Sequence, residues 1–315
     1  MKDLQGKTAF ITGSGAGMGL GMAYAFGRAG MKVMISDIRP DVLEEALAGL
    51  QAEGIEADSI VLDVADRNAM ADAARKTVAR FGSVDIAIAN AAAMMIGRVR
   101  DGSFDDWDWT NSVNIGGVVN LIQAFLPIFR EQGSGHIAAT ASMAGISRVP
   151  HGGLYSVQKA AVVAIMESLA AELANENVGV SVICPGLTKS GGGGAANLRP
   201  EKFADHGVKF QMPAPPKNAD PDAPPPPSPM DFAMDPMELG ERVLAGIKAD
   251  DLFILTHSEF GDQIREEFAP ILATMDGDNP APRLPPEEAA AGKAPPGMDF
   301  GLYARELVRK KAAAQ

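Results

Sequence analysis

Tyr155 and Lys159 stand four residues apart in Tyr155-Ser156-Val157-Gln158-Lys159, at the start of a long amphipathic stretch. On a helix the i and i+4 positions share a face, so a phenol and an ammonium would lie side by side. A phenol with its ordinary pKa near 10 is a poor acid–base group at neutral pH. An adjacent ammonium stabilises the phenolate and lowers that pKa. Ser142 closes the apolar run before this stretch and could hydrogen-bond a substrate carbonyl oxygen. Taken alone, a Tyr/Lys pair reads as a surface contact.

A second motif in the chain changes that reading. Directly after the first apolar run comes Thr12-Gly13-Ser14-Gly15-Ala16-Gly17-Met18-Gly19. Glycines at 13, 17 and 19 let the backbone turn tightly and approach a pyrophosphate. A helix starting there offers free N–H groups and its positive dipole end to phosphates. The spacing is T-G-x-x-x-G-x-G, not the G-x-G-x-x-G dinucleotide fingerprint. Asp37 ends the second apolar run, and an acid about 20 residues past the glycines is placed to accept hydrogen bonds from ribose hydroxyls. It would repel a 2′-phosphate, which favours NAD over NADP. Arg39, in Ile38-Arg39-Pro40, pulls the other way, since a guanidinium can swing to a 2′-phosphate. Asp63, after the third run, reads as a partner of the adenine amino group or as a loop aspartate.

These residues need a scaffold, and the first two-thirds of the chain supplies one. Short apolar runs at 8–12, 32–36, 59–62, 85–89, 136–140 and 179–183 alternate with helical stretches at 18–29, 42–53, 70–81, 112–129 and 155–175. Strands apolar on both faces, separated by helices, imply a parallel sheet covered on both sides. The expected fold is α/β: a doubly wound, Rossmann-type, mostly parallel sheet. A helix at 237–249, started by Asp235-Pro236, a strand at 252–255 and a helix at 262–275 complete it.

Between these blocks the character changes. Gly191 to Gly194 is an all-glycine run, and Pro213 to Pro229 carries nine of the 22 prolines. Too little ordered chain follows for a second domain, so 190–236 reads as a lid insert beside the active site rather than as a linker. Residues 1–275 are expected to form one domain, and 276–315 an extended Pro-rich tail whose end, 302–314, could dock on a partner subunit.

The chain has 315 residues, 46% hydrophobic and 22% charged, with a net charge of -12. Such acidity argues against a nucleic-acid backbone or an anionic membrane as partner. The one cysteine, Cys184, allows no intrachain disulfide, and His136, His151, His206 and His257 show no metal-ligand spacing. No metal site, no leader and no membrane-spanning run is expected, and a cytoplasmic location is the default.

Together these motifs resemble the short-chain dehydrogenase/reductase family in its single-domain branch, over roughly residues 4–190. The matching residues are Thr12 to Gly19, Asn114 in Ser112-Val113-Asn114-Ile115-Gly116, Ser142, Tyr155 with Lys159, and Pro185-Gly186. The resemblance implies hydride exchange between a nicotinamide cofactor and an alcohol or ketone carbon. It implies Tyr155 as the acid/base and Ser142 as the group that polarises the carbonyl. Lys159 would lower the tyrosine pKa and hold the nicotinamide ribose, and Asn114 would support a proton-relaying water chain. The implied cofactor set is Thr12, Gly13, Ser14, Gly15, Gly17, Met18 and Gly19 at the turn, then Asp37, Ile38, Arg39, Asp63, Val64 and Asn90. It continues with Tyr155 and Lys159, and beyond the sixth strand with Pro185, Gly186, Leu187 and Thr188 or Ser190. Two departures stand out: Ala89-Asn90-Ala91-Ala92 replaces the usual N-N-A-G, and Ser190 or Thr188 stands where a carboxamide-binding threonine is usual. The resemblance also implies a homodimer or homotetramer built through two long helices.

For the substrate, Met94, Met95, Leu187 and the Met/Phe/Pro residues of 203–237 suggest an adaptable apolar wall, and His151 a polar contact. A bulky aromatic alcohol or ketone is expected. The insert, Asn197-Leu198-Arg199-Pro200 and the tail resemble dehydrogenases of benzylic, lignin-type aryl-ether alcohols. A hydroxysteroid or terpene-alcohol dehydrogenase is the neighbouring alternative. An epimerase or dehydratase would need a larger C-terminal domain, and an NAD-sensing regulator would commonly lack the tyrosine or lysine.

Overall fold

A computed structural model describes residues 3–148, 152–189, 198–203 and 229–273. The chain divides into two compact units, 1–258 and 259–315. In the first, seven strands form one parallel sheet in the order β3-β2-β1-β4-β5-β6-β7. They are β1 (Thr8–Thr12), β2 (Lys32–Asp37), β3 (Ala57–Val61), β4 (Ile86–Ala89), β5 (Gly135–Thr140), β6 (Val178–Cys184) and β7 (Phe253–Leu255). The helices are α1 (Gly17–Arg28), α2 (Pro40–Ala52), α3 (Arg67–Phe81), α4 (Phe104–Asn114), α5 (Gly116–Gln132), α6 (Met143–Ile146), α7 (Gly153–Glu172) and α8 (Pro236–Ala249).

The central strands are wholly buried because helices cover both faces. Alternate residues of β1 serve opposite layers. Ala9 and Ile11 join Met22, Phe26, Leu239 and Val243 in one core cluster. Phe10 meets Phe125 of α5, with ring centroids 4.7 Å apart. The helix ends carry the signals that set them. Asp66 caps α3 by accepting from Asn68 and Ala69 N–H, Ser103 and Asp106 form a capping box on α4, and Asp235 accepts from Met237 N–H on α8.

Two elements differ from the expectation. The helix expected over 112–129 is two helices, α4 and α5, meeting at Ile115. The first part of α4, Phe-Asp-Asp-Trp-Asp-Trp, carries no clean apolar stripe and therefore gave no period. β3 starts two residues earlier than its apolar run, because its middle residues are only half-buried. By length and apolarity Phe104–Gln132 and Gly153–Glu172 could each cross a bilayer. Here α5 packs on β4 and β5, and α7 on β5 and β6.

α1 and α8 pack with their backbones in contact. A Cβ on Gly21 would lie 1.9 Å from the Pro236 carbonyl oxygen, and one on Gly240 2.3 Å from that of Gly21. Only glycine fits at either position. In the second unit the described helix is α9 (Gly261–Ala273), with an Arg265–Asp262 ion pair along it.

Candidate active site

The strand order reverses between β1 and β4, and ligands of such sheets bind beyond the carboxyl ends of the strands at that point. A cleft of about 230 Å³ opens there. It is lined by Gly13 after β1, Asp37 at the end of β2, Asp63 after β3, Asn90 after β4 and Thr140 at the end of β5.

The glycine turn forms one wall. Gly13 adopts φ +61°, and a Cβ there would sit 2.7 Å from Ala91 Cα. Ala16, Gly17 and Met18 line the cleft where α1 begins. That helix start has no side-chain cap and no acid in its first turn, so its leading N–H groups face the cleft without a competing carboxylate. Thr12 and Ser14 point the other way. Thr12 Oγ1 accepts from the N–H of Asn90 and Ala91 at 2.9 and 3.0 Å. Ser14 Oγ donates to Ile11 O and accepts from Ser36 N–H. Gly15 backs onto Asp37, whose Oδ2 is 3.1 Å from where its Cβ would be.

Asp37 is buried and holds Arg39 in a two-pronged pair, Nε to Oδ1 at 2.9 Å and Nη2 to Oδ2 at 3.1 Å. Ile38, Arg39, exposed Asp63 and Val64 complete this end of the cleft. The Val64 carbonyl is fixed by Asn120 Nδ2 at 2.9 Å, a contact from α5 that sequence reasoning missed.

Asn90 ties three strand ends together. Its Nδ2 donates to Thr12 O and Gly13 O, and its Oδ1 accepts from Thr140 Oγ1 at 3.2 Å. It therefore shapes the turn rather than offering a free amide to the cleft.

Tyr155 and Lys159 come from the first turns of α7 and both line the cleft. The α7 backbone approaches α6 closely enough that a Cβ on Gly145 would lie 2.6 Å from Lys159 O. Lys159 is 3% exposed, lies over the Tyr155 ring at 5.7 Å from its centroid, and donates to Thr140 O at 2.7 Å. Burial lowers its pKa to about 8. Burial also pushes the Tyr155 phenol up, and the neighbouring Ser142 side chain partly offsets this. The direction opposes the expected effect of Lys159: desolvation of the buried phenol dominates, and the ammonium, 5.7 Å from the ring centroid, does not offset it. Ser142 caps α6 by accepting from Ala144 N–H, and its hydroxyl reaches Pro185 O at 3.5 Å.

Asn114 is buried beneath the cleft. Its side chain makes three hydrogen bonds: Oδ1 accepts from Ala93 N–H, and Nδ2 donates to Ala93 O and to Gln158 Oε1. Gln158, inside the Tyr155–Lys159 motif and fully buried, also donates to Thr110.

Pro185 to Thr188 follow β6. Thr188 is buried and bridges to Met234, while Leu187 is exposed. His257, after β7, accepts from Gly186 N–H at Nδ1 and meets Leu187 O at Nε2. No sequence signal had marked this histidine.

The sequence pattern of the short chain dehydrogenases matches residues 7–200. The chain belongs to this family. It is an oxidoreductase fold of the kind that uses NAD(P). Among its relatives is a C alpha-dehydrogenase of Sphingobium sp. (strain NBRC 103272 / SYK-6), 33% identical over 284 residues that span 88% of this chain and 90% of the relative. A short chain dehydrogenase/reductase from Burkholderia phymatum, solved in complex with NAD, is 27% identical with a TM-score of 0.74, covering 90% of this chain and all of that one. A structure described as a putative short-chain dehydrogenase from Novosphingobium aromaticivorans is 32% identical with a TM-score of 0.72, covering all of this chain and 96% of that one.

In this short chain dehydrogenase a described piece of the insert, 198–203, walls the cleft opposite the turn. Leu198, Pro200, Lys202 and Phe203 line it together with Met94, Trp109 and Val113. Arg199 anchors the piece: it pairs with Asp106 at 2.5 Å, stacks over Trp109 at 5.6 Å and donates to Phe203 O. Both ends of that ion pair are buried. Met95 and Leu187 are not among the lining residues. His151 and Ser190, and most of the 190–236 insert, lie outside the described residues.

Proposed function

We propose that this chain is an NAD-dependent dehydrogenase/reductase that interconverts a secondary alcohol and its ketone, with a bulky aromatic, aryl-ether type substrate. The observation that carries the reading is that Tyr155 and the buried Lys159 both line the cleft from one face of α7, with the Lys159 ammonium over the Tyr155 ring.

A dinucleotide fits the residues present. The uncapped, acid-free start of α1 suits a pyrophosphate, and Gly13, Ala16 and Gly17 line the cleft there without bulky side chains. Asp37 would take the ribose hydroxyls and favour NAD over NADP, with its Arg39 pair directing the guanidinium away from a phosphate. When bound, the nicotinamide supplies the hydride exchange. Tyr155 would hand the proton to, or take it from, the substrate oxygen. Ser142 would hold that oxygen, and Lys159 would stabilise the phenolate and hold a ribose hydroxyl. Asn114 would steady the segment behind them.

Met94, Trp109, Val113, Leu198 and Phe203 favour an aromatic substrate. The C alpha-dehydrogenase relative, alignable over most of the chain, supports the benzylic aryl-ether class. We also read 1–275 as one oxidoreductase domain with 276–315 as a tail, and the protein as a cytoplasmic homodimer or homotetramer.

The test is NADH formation over a panel of secondary alcohols, from small aliphatic to steroidal to benzylic β-aryl ether, with NAD⁺ and NADP⁺ in parallel. Highest kcat/KM for benzylic ethers with NAD⁺ is expected. A preference for small or steroidal alcohols would overturn the substrate reading, and a preference for NADP⁺ the role of Asp37.

A further inference from the structure

The register β6–β7, Ile183 beside Ile254 and Cys184 beside Leu255, carries on past the strand ends. Two residues beyond Cys184 is Gly186, and two beyond Leu255 is His257. The imidazole lands between two backbone groups of the 185–188 segment. Gly186 N–H points at Nδ1 at 2.9 Å, and Leu187 O lies 3.2 Å from Nε2. An N–H can only donate, so Nδ1 carries the lone pair and Nε2 carries the proton it gives to Leu187 O. The Thr256 hydroxyl, 2.8 Å from Nδ1, can turn to donate to the same nitrogen in that tautomer. His257 is 7% exposed, so these bonds compete little with water.

The same segment is attached to the catalytic side of the cleft. Pro185 O accepts from Met143 N–H at 2.8 Å and from Ser142 Oγ at 3.5 Å. Its far end is held by Met234, whose N–H donates to Leu187 O at 2.9 Å. Between those attachments His257 is the side chain that fixes Gly186 and Leu187 together. A shift of Gly186 would carry Pro185 O with it, and so the Ser142 hydroxyl that reaches it.

We propose that His257 is a positioning residue for the nicotinamide half of the cofactor site, acting through the Gly186–Leu187 backbone. This rests on the NAD(P) reading above. The sheet order supports the assignment to that half. Asp37 and Asp63 line the cleft at its β2–β3 end and Thr140, Ala141, Tyr155 and Lys159 at its β5 end, and Ser142 and Pro185 to Thr188 follow β5 and β6 next to that end, where the reacting ring would lie.

The test compares two ligands that differ only by the nicotinamide. ADP-ribose and NAD⁺ are titrated calorimetrically into wild type, His257→Ala and His257→Asn, with kcat measured on the preferred alcohol. Losing both backbone bonds should weaken NAD⁺ binding to His257→Ala by about tenfold, while ADP-ribose binding stays within about twofold of wild type. The kcat should fall as well. The Asn side chain can still accept from Gly186 N–H, so that variant should recover part of the loss. Equal weakening of both ligands, or unchanged NAD⁺ affinity and kcat in both variants, would overturn the proposal while leaving the cofactor reading intact. Wild type that binds neither ligand would overturn both.

Discussion

The Lys159 ammonium donates to the carbonyl of Thr140 at 2.7 Å, and the Thr140 hydroxyl donates in turn to Asn90. The end of β5 thus links α7 to the glycine turn. One neutral carbonyl does not repay the desolvation of an ammonium, which is why the lysine pKa drops to about 8.

That shift makes stability pH-dependent. Below about pH 8 both folded and unfolded chains hold the proton, and the fold carries the full penalty of a buried cation. Between about 8 and the unfolded value of 10.5 the folded chain has released a proton that the unfolded chain keeps, so stability rises with pH. The shift corresponds to roughly 3 kcal/mol. Denaturant unfolding of wild type and Lys159→Met should show wild type gaining about that much relative to the variant from about pH 7 to about pH 10. A difference that stays flat would contradict the burial of a charged Lys159.

Tyr155→Phe removes the phenol hydroxyl and keeps the ring under Lys159. Turnover should fall by about 10²- to 10⁴-fold, the usual range for a lost general acid–base group. NAD⁺ affinity should change by less than about twofold. Steady-state kinetics with calorimetric binding measures both, and near-normal turnover would remove Tyr155 from the mechanism.

Asp37 restrains Arg39 by two hydrogen bonds. Asp37→Ser frees the guanidinium and deletes the carboxylate. The ratio of kcat/KM for NADP⁺ over NAD⁺ should rise by at least about tenfold, equivalent to about 1.4 kcal/mol. An unchanged ratio would show that neither residue reads the ribose.

Arg199→Met leaves the fully buried Asp106 carboxylate without its ion-pair partner. Breaking one side of a buried pair costs on the order of 3 kcal/mol, which a thermal melt would register. Because 198–203 lines the substrate end of the cleft, KM for the alcohol should rise several-fold more than KM for NAD⁺. Equal changes in both would mean that the piece does not contact substrate.

Much of the scaffold was legible because parallel strands buried on both faces leave bare apolar runs: β1 occupies the same five residues in sequence and structure. The glycine turn, Asp37, Tyr155 and Lys159 could be picked out because their placement along one cleft depends on local spacing or on strand ends. The start of α4 could not, since its acid-rich face shows no apolar period. His257 and Asn120 could not, because they act on backbone groups 71 and 56 residues away. The Asp106–Arg199 pair joins positions 93 residues apart. Each half of such a pair looks like an ordinary surface residue until the fold brings in the other.

The contact of Gly21 with Gly240 sets how this chain can be recombined. α1 carries the turn that faces the cleft, and α8 follows Met234, which holds the 185–188 segment. A chimera that takes its last third from a relative with any side chain at position 240 inherits a backbone clash with α1. Crossovers that respect the fold therefore keep 17–28 and 236–249 from the same parent, and the two ends of the cofactor cleft are exchanged together or not at all.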